Sequence, residues 1–287
     1  MLTERIELRS GGRMRAATAV RAEESAGGAV FVGFHGSGGT GEQLLGAMAG
    51  QLDFFLRHGV AVFPDAYEKL WNDSRRGWNP PSRAGGVDDV EFTRALAREA
   101  AARFGADPAR LYVYGHSNGS SLVVRLLHEA PAELAGAAVI GAGLPVPDNL
   151  LADDRGPAPV PVAILHGTRD RLVPYRGGRN SIYGTGSRGR TESIPETARY
   201  FAARNGLPVT PAVDTVAGDG RIEVVRTAYG PGTAHPVHLY TFAGLGHVIP
   251  GAGPGNLLLG RNTRAFRTVD ALAEVWGLAA QPTSPVS

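Results

Sequence analysis

The chain has 287 residues, 43% of them hydrophobic and 20% charged, with a net charge of +2. That balance fits a globular chain with a sizeable core, and the scattered arginines, with Lys69 the only lysine, form no basic stripe suited to nucleic acid. With no cysteine, disulfides, thiolate catalysis and cysteine-held metal are excluded.

The opening Met1-Leu-Thr-Glu-Arg-Ile-Glu-Leu lacks a basic stretch followed by an apolar core, and no apolar run reaches membrane-spanning length. A cytoplasmic location without a membrane partner is therefore expected. Residues 5–8 and 14–20 alternate polar and apolar around Gly11-Gly12 and read as an antiparallel hairpin. Residues 28–34 form a continuous apolar run suited to a central strand. The turn after it, His35-Gly-Ser-Gly-Gly-Thr-Gly41, lacks the Gly-Lys-Ser/Thr of a phosphate loop. Its glycines instead suit a loop whose backbone N–H faces a substrate oxygen. A helix is expected over 42–56 and a strand over 60–63.

Residues 67–86 form a long polar loop bearing Trp71, Trp78, Asn72, Asn79 and Pro80-Pro81. Long loops in compact domains are commonly functional, so the loop reads as a substrate-side wall with both tryptophans facing substrate, or else as a loop anchored by buried indoles. An amphipathic helix follows over 87–104, with Asp88 and Asp89 in its first turn.

Residues 110–121 carry the central motif. Leu111–Tyr114 suits a buried strand, Gly115-His-Ser-Asn-Gly119 follows, and Leu122, Val123, Leu126 and Leu127 recur at helical spacing. Strand, tight turn and helix with Ser117 at the turn is the context of a G-x-S-x-G nucleophile elbow, and its glycines admit a turn that bulk would block. Further strands are expected at 137–140 and 162–165, joined by a proline-rich connector. Asp170 lies just past the second of these. Residues 176–190 are rich in Gly, Arg and Ser without periodicity and read as irregular and mobile. A helix capped by Ser193, a hairpin over 214–227, a last strand over 237–242 and a closing helix over 262–278 complete the order. The tail 280–287 reads as disordered. Strands alternating with helices predict one α/β domain over 1–279, its mostly parallel sheet covered on both faces and edged by an antiparallel N-terminal hairpin.

A serine hydroxyl needs a base, a group orienting that base, and donors for the developing oxyanion. Ser117, Asp170 and His247 fall in the serine–acid–histidine order, each after an expected strand. Of the eight histidines, only His247 lies in a glycine-rich loop after the final strand. His35 and His166 precede glycines at strand ends and read as loop-shaping, while His116 beside the nucleophile is placed to line the site. No histidine–carboxylate cluster has metal-ligand spacing, and the chemistry calls for no cofactor.

These motifs resemble the poly(3-hydroxybutyrate) depolymerase/feruloyl esterase-like branch of the α/β-hydrolases, the LpqC-type esterases. The likeness runs over about residues 29–251. It is carried by Phe34-His-Gly-Ser, Gly86-Val-Asp-Asp-Val, Tyr114-Gly-His-Ser-Asn-Gly, His166-Gly-Thr-Arg-Asp-Arg-Leu-Val-Pro-Tyr, Ser193-Ile-Pro-Glu-Thr with Asn205-Gly206, and Gly246-His-Val-Ile-Pro-Gly. The resemblance implies an α/β-hydrolase fold and cofactor-free ester hydrolysis through an acyl-serine, on small or oligomeric hydroxyalkanoate, short-chain acyl or aryl esters. It implies Ser117 as nucleophile, His247 as proton shuttle, Asp170 as its orienting acid, and the N–H groups of Ser37 and Asn118 as the oxyanion hole. Gly36, His116, Trp71, Trp78 and Ile249 are expected around the substrate. Leu207 and Pro231 stand where many secreted relatives have cysteines, and Ile249 where relatives tend to have tryptophan, so the acyl or aryl pocket differs. Acyl-thioester hydrolysis and a non-catalytic binding role on the same fold remain alternatives.

Overall fold

The computed structural model describes residues 1–23, 27–182, 185–253, 255 and 258–279; the expected disordered tail 280–287 lies outside them. The chain order is β1 (Leu2–Ser10), β2 (Arg13–Arg21), β3 (Ala29–Phe34), α1 (Gly41–Met48), α2 (Leu52–His58), β4 (Gly59–Pro64), α3 (Pro81–Ala84), α4 (Asp89–Phe104), β5 (Asp107–His116) and α5 (Asn118–Glu129). Then come β6 (Gly136–Ile140), β7 (Val162–Gly167), β8 (Gly178–Ile182), β9 (Thr185–Thr191), α6 (Ile194–Arg204), β10 (Ala212–Gly218), β11 (Glu223–Tyr229), β12 (Val237–Ala243) and α7 (Thr268–Trp276).

Among the described residues, ten strands form one sheet in the order β1-β2-β4-β3-β5-β6-β7-β12-β11-β10. The strands from β4 to β12 run parallel, and antiparallel hairpins close both edges. Alternation along the central strands splits the core, because successive side chains leave opposite faces. Val30, Val32 and Phe34 of β3 join one apolar cluster with Phe92 and Leu96 of α4, Leu122 and Leu126 of α5, and Phe201 of α6. Phe31 joins the other, with Phe54 and Phe55 of α2 and Leu272 and Trp276 of α7. Helices thus cover both faces, and β3 is buried throughout. No helix among the described residues is long and apolar enough to cross a membrane.

Three expectations are corrected by packing. The helix expected over 42–56 breaks at Ala49–Gln51. There the Gln51 amide is used tertiarily: it donates to the Pro250 carbonyl and accepts from the Val269 N–H, 3.1 Å each. The closing helix starts only at Thr268, since Asn262 donates to the carbonyls of Ile249 and Gly253 and Thr263 donates to Asp219. Residues 262–263 therefore brace the loop that carries His247. The segment 176–190, read as irregular, contains the β8–β9 hairpin. Asn149 explains why it docks: its amide donates to the Arg190 carbonyl at 2.9 Å and accepts from the Gly77 N–H at 2.7 Å. One side chain thereby ties the long loop, the proline-rich connector and the hairpin together.

A buried ion pair anchors the start of the long loop. Arg15 on β2 donates to Asp89 at 2.8 Å, with both side chains essentially inaccessible, and the other Asp89 oxygen accepts from the Asn72 N–H at 2.7 Å. Removing one partner strands a buried charge, which costs about 3–5 kcal/mol. Asp89→Ala is therefore expected to lower the unfolding free energy in urea by that amount, and the paired change Arg15→Met/Asp89→Leu to lower it by less. Equal losses in the two variants would contradict this account of the pair.

Candidate active site

The parallel sheet brings the functional loops to one edge. The loops after β3, β5, β7 and β12 all leave carboxyl ends of parallel strands, where open α/β sheets place their ligand crevice. β7 and β12 are neighbours, so the loops bearing Asp170 and His247 lie side by side.

Ser117 sits between β5 and α5 with φ 56° and ψ −116°, in the left-handed half of backbone space that a non-glycine residue rarely occupies. The flanking glycines are required by contact distance. A Cβ on Gly115 would lie 2.4 Å from the Gly119 carbonyl carbon, and one on Gly119 would lie 2.2 Å from the Phe34 oxygen. The turn is fastened to β6: the Ser117 N–H donates to the Ile140 carbonyl at 2.9 Å, and the buried Ser120 hydroxyl accepts from the Ile140 N–H at 2.7 Å.

His247 Nδ1 lies 2.6 Å from Asp170 Oδ2. The other carboxylate oxygen of Asp170 accepts from the backbone N–H groups of Leu172 and Val173, both at 2.8 Å. Burial pushes this carboxyl up, but the His247 charge and hydrogen bond outweigh it, and the net shift is below the usual aspartate range. Asp170 is thus held as a carboxylate and faces His247. His166 stands behind it, its Nε2 2.9 Å from the Val173 carbonyl and 3.4 Å from Asp170 Oδ2. His35 holds the loop after β3: its Nε2 accepts from the Ala66 N–H at 3.1 Å, so Nδ1 donates to the Gly36 carbonyl at 2.7 Å. Both histidines shape loops, as expected.

Ser117 and His247 line a cavity of about 480 Å³ together with Gly36, Ser37, His116 and Ile249. Asn118 is the first residue of α5, so its N–H has no acceptor within the helix. Its side chain is fixed on both sides: Oδ1 accepts from the Trp71 N–H at 2.9 Å, and Nδ2 donates to the buried Asp73 at 2.6 Å. Ser37 lies in a turn closed by the Gly39 N–H on the Gly36 carbonyl at 3.1 Å and the Gly38 N–H on the Lys69 carbonyl at 3.0 Å. Among the described residues, no group of three or more His, Asp or Glu side chains is placed to hold a metal ion.

The two tryptophans expected around the substrate do not line the cavity. Trp71 is fully buried, donates its indole N–H to the His35 carbonyl at 2.9 Å and packs on Phe34; it anchors the loop from inside. Trp78 lies beneath the wall, with Arg188 4.1 Å and Arg75 4.8 Å from its ring centre. Those two arginines, with Asn180, Leu172 and Val173, line the cavity and were not singled out from the sequence. The sole signal for Arg188 was its lying in an arginine-rich stretch. Nothing local marks Asp73, which forms a buried pair with Arg75 and holds Asn118.

His116 packs its ring 4.8 Å from that of His247. Burial, reinforced by the neighbouring His247, lowers its pKa from 6.5 to about 3. Burial likewise lowers His35, His128 and His166. Groups whose folded pKa is depressed bind protons preferentially in the unfolded chain. The stability they allow is complete above about pH 6.5 and is lost as the pH falls below it, in the case of His116 down to about 3. The urea midpoint should therefore drop steadily between pH 7.5 and 4.5, with a shallower slope in His116→Asn. A midpoint independent of pH over that range would contradict the buried neutral histidines.

No family model matches the chain. Over 149 residues it is 32% identical to NocK, a candidate esterase of Nocardia uniformis subsp. tsuyamanensis, covering 50% of this chain and 40% of that protein. Over 113 residues it is 33% identical to feruloyl esterase B of Piromyces equi, covering 37% of this chain and 20% of that protein. The matches thus span less than half the length of either relative. The solved acetyl xylan esterase of Aspergillus awamori superposes with a TM-score of 0.64 at 14% identity, over 96% of this chain and all of that one. With a mostly parallel sheet flanked by helices and this superposition, the chain has the α/β-hydrolase fold, and its sequence relatives carry esterase names.

Proposed function

We propose that this single domain is a serine carboxylic-ester hydrolase acting through an acyl-serine, without a cofactor. The observation that carries the reading is the 2.6 Å contact between His247 Nδ1 and the buried Asp170, in a loop pair that shares one cavity with the strained Ser117. With Nδ1–H donating to Asp170, the lone pair of a neutral His247 is on Nε2, the atom available to take the Ser117 proton. The serine oxygen then bonds to the ester carbonyl carbon, and the carbonyl oxygen becomes an oxyanion. The Asn118 N–H at the start of α5 and the Ser37 N–H are the donors assigned to it, each worth about 2.7–4 kcal/mol in sites of this kind. Collapse expels the alcohol, which takes its proton from His247. Water then attacks the acyl-serine by the same route in reverse order, releasing the acid and restoring Ser117.

Asp170 keeps His247 in the productive tautomer and stabilises its transient positive charge. The cavity size and the esterase names of the relatives support small or oligomeric esters, of the hydroxyalkanoate, short acyl or aryl kinds that the motifs resemble. Ile249 on the wall supports an aliphatic rather than an aromatic boundary at that point.

Ser117→Ala is expected to lower kcat on p-nitrophenyl butyrate by about 10⁴-fold or more, with far-ultraviolet circular dichroism unchanged. A serine-directed phosphonate should add its mass at Ser117 alone. Full activity in Ser117→Ala would sink the reading.

A further inference from the structure

The cavity wall carries an imbalance of charge that ester hydrolysis alone does not use. Among the described residues lining it, Arg75 and Arg188 are the permanently charged side chains, and no Asp or Glu joins them. Arg75 is neutralised by the buried Asp73. That carboxylate is also 3.8 Å from Arg83 and accepts from Asn118. Three guanidiniums in this region therefore share one carboxylate. Arg188 reaches over the cavity from β9, stacks on Trp78 at 4.1 Å and donates to the Ser37 hydroxyl at 2.7 Å. Ser37 is a neutral acceptor, and among the described residues no carboxylate lies within ion-pair distance of Arg188; Asp73, already paired with Arg75, acts on it only at longer range. Burial and the nearby Arg75 lower the Arg188 pKa to about 10 against the opposing pull of Asp73, the sign expected of a desolvated cation with no carboxylate in direct contact.

The position is close to the chemistry. Ser37 follows Gly36, and a Cβ on Gly36 would lie only 3.5 Å from the Ser117 Cβ. A guanidinium hydrogen-bonded to Ser37 thus stands beside the cavity end that holds the nucleophile. The remaining wall is largely apolar, with Leu44, Leu172, Val173 and Ile249. Such a wall accepts an acyl or alkyl chain, while the guanidinium marks one point on it for a negative group. Its planar fork suits a carboxylate, which it can bind through paired charge-assisted hydrogen bonds.

Resting on the serine-hydrolase reading, we propose that the preferred substrates are esters bearing a carboxylate a few bonds from the scissile carbonyl, and that Arg188 binds it. The carboxylate can belong to the acyl part, as in a half-ester of a short dicarboxylic acid. It can equally belong to the alcohol part, as in an O-acyl short-chain hydroxy acid. Trp78 and the Asn149 amide act behind Arg188, the first by supporting its guanidinium and the second by holding the hairpin that bears it.

Two substrate pairs test this and separate the two sources. Monomethyl glutarate against dimethyl glutarate places the carboxylate on the acyl side. 3-Butyryloxybutyrate against its methyl ester, with butyrate release measured, places it on the alcohol side. At low ionic strength the wild type should favour the carboxylate member of at least one pair by about tenfold or more in kcat/KM, and added salt should shrink that ratio. Arg188→Gln should lower the ratio by about tenfold, and Arg188→Lys should keep part of it. Preference for the neutral ester in both pairs, or a ratio unmoved in Arg188→Gln, overturns the proposal. Should Arg188→Gln fail to fold, the wild-type ratio and its salt dependence decide the matter alone. Ser117-dependent turnover without a carboxylate preference defeats this inference and leaves the esterase reading standing. No turnover of any member, with no phosphonate label on Ser117, defeats both.

Discussion

The turn at Ser117 is the constraint on which the site depends. A non-glycine residue with φ 56° costs about 1–3 kcal/mol and persists only where its surroundings over-determine it. Here they do so from three directions. β5 arrives buried between β3 and β6, and α5 leaves with most of its residues buried. The carbonyl and N–H of Ile140 are both taken by the elbow, through the Ser117 N–H and the Ser120 hydroxyl. Gly115 and Gly119 permit the approach because any Cβ there would meet backbone atoms that cannot move aside. The strain is thus held by the sheet and not by the loop itself, and it presents the serine side chain at the mouth of the parallel strands.

Two buried carboxylates organise what surrounds that turn, in different ways. Asp170 is tied by two backbone N–H groups and faces one histidine, so its orientation is transmitted to His247. Asp73 is tied to Arg75 and turns an oxygen to the Asn118 side chain, so its orientation is transmitted to the first turn of α5. Both lie in positions where an unpaired charge would be costly, and both are fully engaged. The pair of anchors also sets the sign of the cavity. Asp170 is consumed by His247 and Asp73 by Arg75, and no carboxylate among the described lining residues is left to face Arg188.

The loop and hairpin that wall the cavity are assembled by polar side chains more than by apolar burial. Asn149 bonds to segments far away in sequence, at Gly77 and Arg190, while Asn72 and Arg83 bond to carbonyls within and at the end of the long loop itself. Trp71 is the apolar exception, its indole buried beneath the loop and its ring nitrogen bonded to the carbonyl of His35. A wall built in this way is held beside the nucleophile by hydrogen bonds, which leaves the apolar side chains of its inner surface free to face the cavity.

Much of this was legible from the chain alone. The strand-turn-helix around Ser117, and the positions of Asp170 and His247 just past later strands, follow from local patterning. Parallel sheets force strand ends to one edge, so residues read as strand-terminal are brought to the same crevice without knowledge of the packing. The doubly covered sheet and its N-terminal hairpin follow from alternating periodicities in the same way. Local patterning could not place Trp71, whose composition-level reading as a substrate wall fails because its indole finds an acceptor inside the core. Nor could it find β8 and β9 in a run of Gly, Arg and Ser, since that hairpin is defined by Asn149 and not by its own hydrophobic period. The charge facing the cavity was equally invisible. Twenty-nine basic residues look alike in a sequence, and which guanidinium comes to lie on the cavity wall depends on contacts such as that of Arg188 with Ser37, 151 residues apart. The sequence by itself determined the fold and the order of the candidate catalytic groups, because those rest on local period and strand topology. Only the tertiary structure decided the shape and charge of the cavity, because those rest on side-chain hydrogen bonds and ion pairs that no local pattern encodes.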